Sequence, residues 1–539
     1  MQQVLGNGIV PVIDPLEIDP VLVVGNGPVG QSLALLLARW GLRVTLVDSR
    51  SERDPIGSKA LCQARDVLDV WDAVGAGRQI RDEGTAWSTA RTFYQDHEIS
   101  CWQIQDSGAS IFPPIVNIGQ QRTEEILDLQ INATDAIDVR WGYEFVSLSQ
   151  DDDRVSATFN TPDGVTTLTA PYVAIATGSR CDGVRDALGL SFDGETFLDY
   201  FLICDIRTSM PGWESERRFY FDPEWNPGRQ VLIHPCPDST FRIDWQVPPD
   251  FDLEAEEANG GLDARIRKVI GDQPYEIVWH SVYKFHSRHV DRMQLGRVSV
   301  LGDAAHIVSP FGARGLNTGI YDAENIAWKI AFHARGWADQ SLLDSYHDER
   351  LAATKENIEV TTATMNFLVP HGDEAWAARR AMLEAAATDP ELARNVDSGR
   401  LSEPYWYVDS PIVLSDPGRP FAGRPPKGHA PPAAPGVLVP DIPLMIDGEQ
   451  VRIRELARTG MTYLVGSGVD ADAVRAAAAS ATAAPVRVLV AEDVDANGWI
   501  ARSIGVAPGE VWIIRPDAHI SAVVDSAHVA SATMHALGR

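Results

Sequence analysis

The chain alternates between short apolar runs that end in turn residues and longer stretches with helical periodicity. From Val21 to Asp48 it contains an apolar strand ending in glycines (VLVVGNG), a helix (PVGQSLALLLARW) that stops at Gly41, and a second apolar strand (LRVTLVD). Apolar spacing of three to four residues predicts the helix, and the continuous apolar runs predict buried strands. This order is typical of an α/β domain with a parallel sheet.

Strand patterns dominate the middle of the chain, and helical patterns follow. Residues 139–176 and 198–247 consist of short alternating or apolar runs separated by turn residues, which predicts strands. The apolar strand RVSVLGD leads into residues 315–367, which are predicted to be largely helical. Residues 417–435 (PGRPFAGRPPKGHAPPAAP) are dense in proline and glycine and predict a linker before a small α/β domain.

Length, charge and cysteine content narrow the function classes. A chain of 539 residues exceeds what one hydrophobic core usually supports, so about two to four domains are expected. Lys and Arg number 46 against 75 Asp and Glu, and the net charge of −29 argues against nucleic acid or anionic membranes as partners. The five scattered cysteines show no CxxC or metal-site spacing, and the N-terminus has no signal-peptide pattern. A reduced cytoplasmic protein without a metal site is expected.

The first glycine-rich segment, from Gly25 to Gly30 (GNGPVG), fits the GxGxxG pattern between a strand and a helix. Gly25 allows a tight turn, Gly27 lets the backbone approach a pyrophosphate, and Gly30 allows close packing of helix and strand. Asp48, at the end of the second strand, is placed to accept hydrogen bonds from ribose hydroxyls. The segment predicts dinucleotide binding, by either FAD or NAD.

A second glycine-rich segment, GDAAHIVSPFGARGLNTGIYDAEN from Gly302 to Asn325, decides between the two cofactors. It follows a strand and enters a helix, whose first N–H groups can face the flavin. Asp303 is predicted to accept hydrogen bonds from ribityl hydroxyls. An extended FAD needs a distant segment at its flavin end, so the pair of segments predicts FAD. The loop entering the helix carries Pro310, Gly312, Gly315, Leu316 and Asn317.

This second segment resembles the GD…P…G…G…N segment of the single-component FAD-dependent aromatic hydroxylases, the class A flavoprotein monooxygenases with the para-hydroxybenzoate hydroxylase fold. FDPEWNPGRQVLIHPCPDSTFRIDWQV, from Phe221 to Val247, is most similar to the branch of 3-(3-hydroxyphenyl)propionate, phenol and polyketide hydroxylases. The resemblance covers residues 20–370, and the tail from residue 435 resembles the thioredoxin-like domain of that branch.

The resemblance implies an α/β fold. A Rossmann-like FAD-binding domain carries an inserted mixed-sheet substrate domain, a helical region and a C-terminal thioredoxin-like domain. The implied division is an N-terminal extension (1–19), the first section of the FAD-binding domain (20–190), a substrate-binding domain (191–290), the second section of the FAD-binding domain with helices (291–415), a linker (416–435) and the thioredoxin-like domain (436–539).

Position by position, the resemblance assigns FAD contacts to Gly25, Gly27, Pro28, Val29, Gly30, Asp48, Gln120, Asp303, Gly315, Leu316 and Asn317. Lys59 and Arg65 stand where relatives present basic residues to the pyrophosphate, although solvated charges are the alternative for both. Residues 177–185 (TGSRCDGVR) depart from the family's Asp-Gly motif, which contributes to FAD and NADPH binding. This leaves open whether Arg180 and Arg185 serve the nicotinamide cofactor or are solvated.

The implied reaction is hydroxylation of a phenolic ring. NADPH or NADH reduces FAD, O2 forms a flavin C4a-hydroperoxide, and the phenol takes one oxygen atom. The substrate wall is predicted on the strands of residues 198–290, where Arg242, Asp244 and Gln246 share one strand face. Candidates for activating the phenol are His234 and Tyr220, and candidates for binding it are Trp225, Arg242, Tyr283 and His286. A packed or structural role is the alternative for each.

Two other functions stay open at this point. A flavoenzyme of the same fold could act as an epoxidase or a Baeyer–Villiger oxygenase on a polyketide, and the altered 177–185 segment also permits a flavin- or nucleotide-binding protein without activity. The chain contains no motif for a side-chain nucleophile, which suits chemistry carried by a cofactor. Expected partners are a small aromatic substrate and O2, and a homodimer is left open.

Overall fold

The computed structural model of the chain describes residues 3–5, 8–10, 13–53, 60–104, 106, 108–179, 181–394, 396, 398–421, 423–424, 431–495 and 497–539. Its centre is a six-stranded sheet in the order Ile137–Trp141, Val44–Asp48, Val21–Val24, Val173–Ile175, Val298–Val300, Gln294–Leu295. The first five strands are parallel and the last is antiparallel. The predicted Rossmann-like core is confirmed.

Burial on both faces explains why these strands read as continuous apolar runs. Every residue of Val21–Val24 and Val44–Asp48 is buried, as expected for a parallel sheet covered by helices. Helix Pro28–Arg39 packs against helix Arg314–Ala334 and against helix Gln120–Asn132. The first two of these helices each begin at a glycine-rich segment, so their packing brings the two segments together.

A second, eight-stranded sheet is mixed, as the resemblance implied. All neighbouring strands are antiparallel except Glu216–Phe221 and Thr89–Tyr94, which are parallel. Thr89–Tyr94 and His97–Gln103 come from before residue 190, so the sheet extends beyond residues 191–290. Its order is His306–Ile307, Tyr275–Val290, Phe192–Thr208, Thr240–Val247, Val231–Cys236, Glu216–Phe221, Thr89–Tyr94, His97–Gln103.

Helices and short strands complete this region of the chain. The predicted helical region 315–367 forms two helices, Arg314–Ala334 and Gln340–Leu368. No helix among the described residues combines the length and the apolarity needed to cross a bilayer. Other helices are Arg65–Asp72, Gly77–Glu83, Asp182–Leu188, Leu253–Asn259, Gly261–Ile270, Gly372–Ala386 and Pro390–Ala393, with a 3-10 turn at Gly302–Ala304; other strands are Gln3–Leu5, Gly8–Val10, Cys62–Ala64, Thr85–Ala86, Ile115–Asn117, Glu144–Gln150, Val155–Thr161 and Gly164–Ala170.

The C-terminal domain contains a four-stranded sheet in the order Val486–Val490, Met461–Val465, Val511–Ile514, Ile520–Val524. The first pair is parallel and the other pairs are antiparallel, which is the thioredoxin-like arrangement implied by the resemblance. Helices Ala471–Ala481 and Val529–Ala536 pack against each other beside this sheet. The domain also holds the hairpin Pro443–Ile446 and Glu449–Arg452, helices Ile453–Ala457, Ala491–Val494 and Trp499–Ser503, and a 3-10 turn at Ser526–His528.

Buried ion pairs join the C-terminal domain to the nucleotide-binding domain. Arg458 donates through Nε to Glu324 Oε1 and through Nη1 to Asp69 Oδ2, both at 2.7 Å. Arg454 donates to Asp66 Oδ1 at 2.5 Å. Arg458 and Asp69 are buried, so each needs the other as compensation for lost hydration.

A second buried network centres on Glu349, on the long helix Gln340–Leu368. Its carboxylate accepts from Lys329 at 2.7 Å and from Arg515 of the C-terminal domain at 2.5 Å. Burial alone would raise the pKa of Glu349, but Arg515 and Lys329 outweigh it and hold that pKa well below its ordinary value. Arg515 also pairs with Asp517, so one guanidinium compensates two buried carboxylates.

We expect Arg515→Met to destabilise the protein strongly, because it removes the charge that compensates Glu349 and Asp517 and keeps an unbranched side chain in their place. Leaving a buried charge unpaired costs about 3–5 kcal/mol in the free energy of unfolding. Urea unfolding followed by tryptophan fluorescence measures the loss. The control Arg475→Met breaks an exposed ion pair with Asp472 and should cost less than about 1 kcal/mol. Equal losses in the two variants would contradict the role of the buried network.

Candidate active site

One cavity of about 940 Å³ is lined by residues of both the six-stranded and the eight-stranded sheet. Both glycine-rich segments reach it, so segments far apart in sequence share one site. The predicted site residues that line it are Gly25, Gly27, Pro28, Val29, Asp48, Gln120, His234, Arg242, Asp303, Pro310, Gly315 and Leu316.

Each glycine of the first segment meets a different steric requirement. Gly25 has a φ of 111°, and a Cβ there would lie 2.2 Å from the carbonyl oxygen of Ala176. A Cβ at Gly30 would lie 1.9 Å from the carbonyl oxygen of Gly25, which would push helix and strand apart. At Gly27 a Cβ would meet nothing within 4 Å. Position 27 is therefore kept open toward the cavity and not for packing of the protein itself.

Asp48 is fixed at the cavity edge as an ionised acceptor. Its Oδ2 accepts the backbone N–H of Asn26 at 2.7 Å, and its Oδ1 accepts the Nε–H of Arg50 at 3.0 Å. Burial alone would raise the pKa of Asp48, but these hydrogen bonds outweigh it and lower the pKa below its ordinary value. The carboxylate can therefore accept hydrogen bonds from ligand hydroxyls at neutral pH.

The second segment enters its helix through Ala313, which has a left-handed φ of 56°. Gly315 and Leu316 follow in the first turn and line the cavity. The first N–H groups of a helix have no partner within it and form the positive end of its dipole. A Cβ at Gly319 would lie 2.6 Å from Cγ2 of Val29, so a small residue here lets the second helix close against the first segment.

Asn317 and Gly312 support the second segment and do not line the cavity. Asn317 accepts the backbone N–H of Ala64 through Oδ1 and donates through Nδ2 to the carbonyl of Cys62, both at 3.0 Å. A Cβ at Gly312 would lie 2.1 Å from the carbonyl oxygen of Arg400. The Asn317 side chain and the space beside Gly312 are thus taken up by contacts within the protein, and the FAD contacts of these two residues stay predictions.

The predicted role of Arg65 also needs correction. Its Nε donates to the carbonyl of Phe112 at 2.8 Å, and its Nη2 pairs with Asp106 at 2.7 Å. These partners hold the guanidinium away from the cavity, which it does not line. Gln120 lines the cavity as predicted, and the predicted contact from Lys59 lies outside the described residues.

The segment that departs from the family motif, residues 177–185, holds the backbone of the second glycine-rich segment in place. Residues 177–179 line the cavity, and Arg180 lies outside the described residues. Arg185 is buried, and it donates to the carbonyls of Ala304 at 3.0 Å and Asp303 at 3.1 Å. Arg185 is therefore not solvated, and it positions the backbone at Asp303.

Aromatic side chains form an apolar wall where the cavity meets the eight-stranded sheet. Phe201 stacks on Phe285 with ring centroids 4.5 Å apart, and Phe311 meets Phe201 edge-on at 5.4 Å. Ile203 and Leu232 extend this wall. Offset stacking and edge contacts of this kind suit a flat aromatic ring.

A polar group of residues interrupts this wall. Arg242 donates through Nε and Nη2 to both oxygens of Asp205, at 2.7 and 2.9 Å. His234 lies with Nδ1 4.0 Å from Sγ of Cys62. Burial, followed by the charges of Arg217 and Arg242, lowers the pKa of His234 well below its ordinary value. His234 is therefore neutral at physiological pH.

The structure contradicts the catalytic role predicted for Tyr220. Its ring stacks on Phe93 with centroids 4.5 Å apart and belongs to the hydrophobic cluster of Trp245, whereas the cavity lies against the face that carries Arg242. Trp225 packs edge-on against Tyr220 at 5.5 Å and does not line the cavity either. The substrate contact predicted for Trp225 therefore has no support from its position.

Tyr283 and His286 do not line the cavity. Tyr283 lies beside Trp279 with ring centroids 6.3 Å apart, and His286 Nδ1 lies 2.9 Å from Oγ1 of Thr196. Both residues are half-buried on the long strand Tyr275–Val290, and among its residues the cavity is lined by Phe285. The substrate contacts predicted for them are corrected accordingly.

Cavity residues for which no role was predicted include Asp244, Phe201, Phe285 and Phe311. Alternation placed Asp244 on the same strand face as Arg242, because residues two apart on a strand share a face, but it gave Asp244 no role. The phenylalanines carry no comparable signal, since apolar residues on these strands fill both the cavity wall and the hydrophobic core.

The residues present fit FAD. The open position at Gly27, two helix N-termini at the same cavity and the ionised acceptor Asp48 match a long molecule with anionic phosphates and hydroxylated chains. Asp303, exposed to the cavity, provides a second acceptor on the other glycine-rich segment. The apolar wall remains for a substrate.

Comparisons with known proteins agree with this chemistry. The family profile described as an FAD binding domain matches residues 19–361, and that of the aromatic-ring hydroxylase C-terminal domain matches residues 432–539. A 3-(3-hydroxy-phenyl)propionate/3-hydroxycinnamic acid hydroxylase of Comamonas testosteroni is 28% identical over 420 residues, which cover 75% of this chain and 69% of that protein.

Two further comparisons extend the similarity. A flavin-dependent monooxygenase of Mycobacteroides abscessus is 30% identical over 359 residues, covering 64% of this chain and 73% of that protein. The crystal structure of the flavin-dependent monooxygenase PieE in complex with FAD and substrate has a TM-score of 0.82 at 23% identity. The matched region covers 98% of this chain and 99% of that chain, and at this identity it shows the fold.

We expect Gly27→Val to leave the protein folded and to weaken FAD binding at least about tenfold, which corresponds to about 1.4 kcal/mol. The Cβ of the new side chain meets no protein atom within 4 Å, and the side chain fills space open to the phosphates. Fluorescence titration with FAD and thermal unfolding of the FAD-free protein measure the two effects. Gly25→Ala is the comparison, because its Cβ clashes with the backbone and should lower the unfolding temperature itself. Unchanged FAD affinity in Gly27→Val would contradict this assignment.

Proposed function

The chain belongs to the FAD-binding family of flavin-dependent aromatic-ring hydroxylases, and we propose that it hydroxylates a phenolic ring with NAD(P)H and O2. The observation that carries this proposal is the composition of the cavity wall. A stacked aromatic surface at Phe201, Phe285 and Phe311 adjoins the polar group of His234, Arg242 and Asp244. This surface suits a flat ring that bears a hydroxyl group.

The residues that would hold FAD lie on the two glycine-rich segments. We assign the phosphates to the backbone at Gly27 and the first turn of helix Pro28–Arg39, and the ribose hydroxyls to Asp48. We assign the ribityl hydroxyls to Asp303 and the flavin ring to the first turn at Gly315 and Leu316. When bound, FAD supplies electron transfer from NAD(P)H to O2 and delivery of one oxygen atom to the ring.

His234 is suited to orient the substrate hydroxyl and poorly suited to take its proton. A general base works best when its pKa lies near the operating pH, and burial beside two arginines lowers the pKa of His234 well below its ordinary value. A neutral imidazole still donates or accepts one hydrogen bond at each ring nitrogen. We therefore keep His234 as a substrate contact and not as the base.

Arg242 adds little net charge to this region, because it is paired with Asp205. Its bidentate pair with Asp205 is buried and nearly neutral as a unit, so it offers little attraction to an anionic group of a substrate. A substrate that places a hydroxyl, not a carboxylate, against this wall fits best. The apolar wall also keeps water from the ring.

The proposal is tested by a panel of phenols added to the purified FAD-loaded protein. We expect a yellow protein whose NAD(P)H oxidation is stimulated by one class of phenol, with a product one oxygen atom heavier by mass spectrometry. The control omits the phenol and should consume NAD(P)H slowly. Inactivity across phenols, with conversion of a non-phenolic ketone or alkene, would contradict the proposal and favour a Baeyer–Villiger or epoxidase function.

A further inference from the structure

Asp244 occupies the polar region of the cavity wall with a carboxyl oxygen that lacks a hydrogen-bonding partner. It lies on strand Thr240–Val247, opposite Ile203 on one neighbouring strand and Leu232 on the other. Its Oδ1 is buried, and no residue in the portion of the chain that the structure describes donates to it. Buried polar atoms nearly always have a partner, so an unpaired carboxyl oxygen at a ligand cavity indicates a donor on the ligand.

The neighbouring charged groups have other partners. Arg242, two residues away on the same strand face, donates to both oxygens of Asp205. Arg217 donates to the carbonyl of Ser398 at 2.7 Å. Among the described residues none supplies a donor to Asp244 Oδ1, so a hydroxyl of a molecule in the cavity is suited to supply it.

His234 and Asp244 are placed to act on the same substrate group. His234 pairs with Arg242 in the strand register, and Asp244 pairs with Leu232. The two residues are thus diagonal neighbours on one face, a relation that typically separates Cβ atoms by about 7–8 Å. A hydroxyl oxygen between them can donate to the carboxylate and contact the imidazole at once.

We propose that Asp244 is the catalytic base that accepts the proton of the substrate's phenolic hydroxyl. This inference rests on the proposed function and adds the group that makes the ring electron-rich. Burial, partly offset by the charge of Arg242, raises the pKa of Asp244 to about 7. A carboxylate with such a pKa is a far stronger base than an ordinary aspartate and is still ionised in much of the protein at neutral pH.

The proton transfer balances within the overall reaction. The substrate O–H bond breaks, the proton moves to Asp244, and the electron pair stays on the phenolic oxygen and flows into the ring as a ring carbon gains oxygen. The hydrogen on that carbon then leaves as a proton and aromaticity returns, while Asp244 gives its proton back to the phenolic oxygen. Overall, ArOH, O2, NAD(P)H and one proton give the dihydroxy product, water and NAD(P)+.

The other titratable groups near Asp244 either have pKa values shifted away from pH 7 or are held in an ion pair. Burial raises the pKa of Cys62 to about 12 and that of Cys236 further, and burial lowers that of His234. Asp205 is paired with Arg242. Burial also raises the pKa of Glu324 to about 7, so a change of activity near pH 7 reports Asp244 when Asp244→Asn removes it.

The test compares FAD-loaded Asp244→Asn, Asp244→Glu and the control Glu195→Gln, whose carboxyl is exposed outside the cavity. We expect Asp244→Asn to keep its FAD and its affinity for the phenol, measured by flavin absorbance titration, and to lose about 10²–10⁴-fold in kcat. In the native protein and in Glu195→Gln, kcat/KM should fall as pH drops below about 7. Asp244→Asn should lose this limb, and Asp244→Glu should recover part of the activity.

Thermal unfolding of the same proteins gives a readout that does not depend on turnover. The pKa of Asp244 in the folded state, about 7, lies above its ordinary value of 3.8, so its ionisation lowers stability progressively as pH rises from 3.8 through 7. Asp244→Asn removes this loss. We expect the variant to gain more in unfolding temperature over the native protein at pH 8 than at pH 5.

The possible outcomes separate the two proposals. A native protein that hydroxylates phenols, with Asp244→Asn retaining its kcat or its pH limb, overturns the role of Asp244 and leaves the proposed function standing. A native protein that hydroxylates no phenol overturns both. A variant that is less active and has the same unfolding-temperature difference at both pH values also overturns the role of Asp244, because the carboxyl would then not ionise in the cavity.

Discussion

The close contact of two helices across Val29 is the constraint on which the cavity depends. A Cβ at Gly302 would lie 3.1 Å from Val29 and one at Gly319 would lie 2.6 Å from it, so both positions must stay small for helix Arg314–Ala334 to close against the first glycine-rich segment. This closure brings two helix N-termini to one cavity, and the positive ends of helix dipoles favour anionic groups.

The cavity wall contains a polar group that the described residues do not satisfy and that lowers the stability of the folded state. Strand Thr240–Val247 packs its apolar face into the core and turns Arg242 and Asp244 toward the cavity. Arg242 is compensated by Asp205, whereas Oδ1 of Asp244 has no donor among the residues that the structure describes. Local departures from complete hydrogen bonding are expected where a protein serves a ligand and not its own folding.

The C-terminal domain is connected to the site through buried charged residues of the FAD-binding domain. It lines no section of the cavity among the described residues, yet its Arg515 compensates Glu349 on the same long helix that carries Arg350. Arg350 donates to Asp322 at 2.7 Å, and Asp322 accepts the backbone N–H of Gly302 at 3.0 Å. A continuous chain of buried charges thus connects this domain to the second glycine-rich segment and fixes the segment's backbone.

The sequence by itself determined the nucleotide-binding unit, because each of its features is local: a glycine pattern, an apolar helix and an acid at a strand end all act within one strand–helix–strand unit. The same locality made Asp48, Gly27 and the second segment predictable. Only the tertiary structure decided which residues on the strands of 198–290 face the cavity. Alternation shows that Arg242 and Asp244 share a face but not which face the FAD-binding domain covers, so Tyr220 was predicted at the site although it packs in a hydrophobic cluster on the other face. Long-range packing also decided the partners of Arg65 and Arg185. The sequence around a charged side chain does not show which distant carbonyl or carboxylate it will contact.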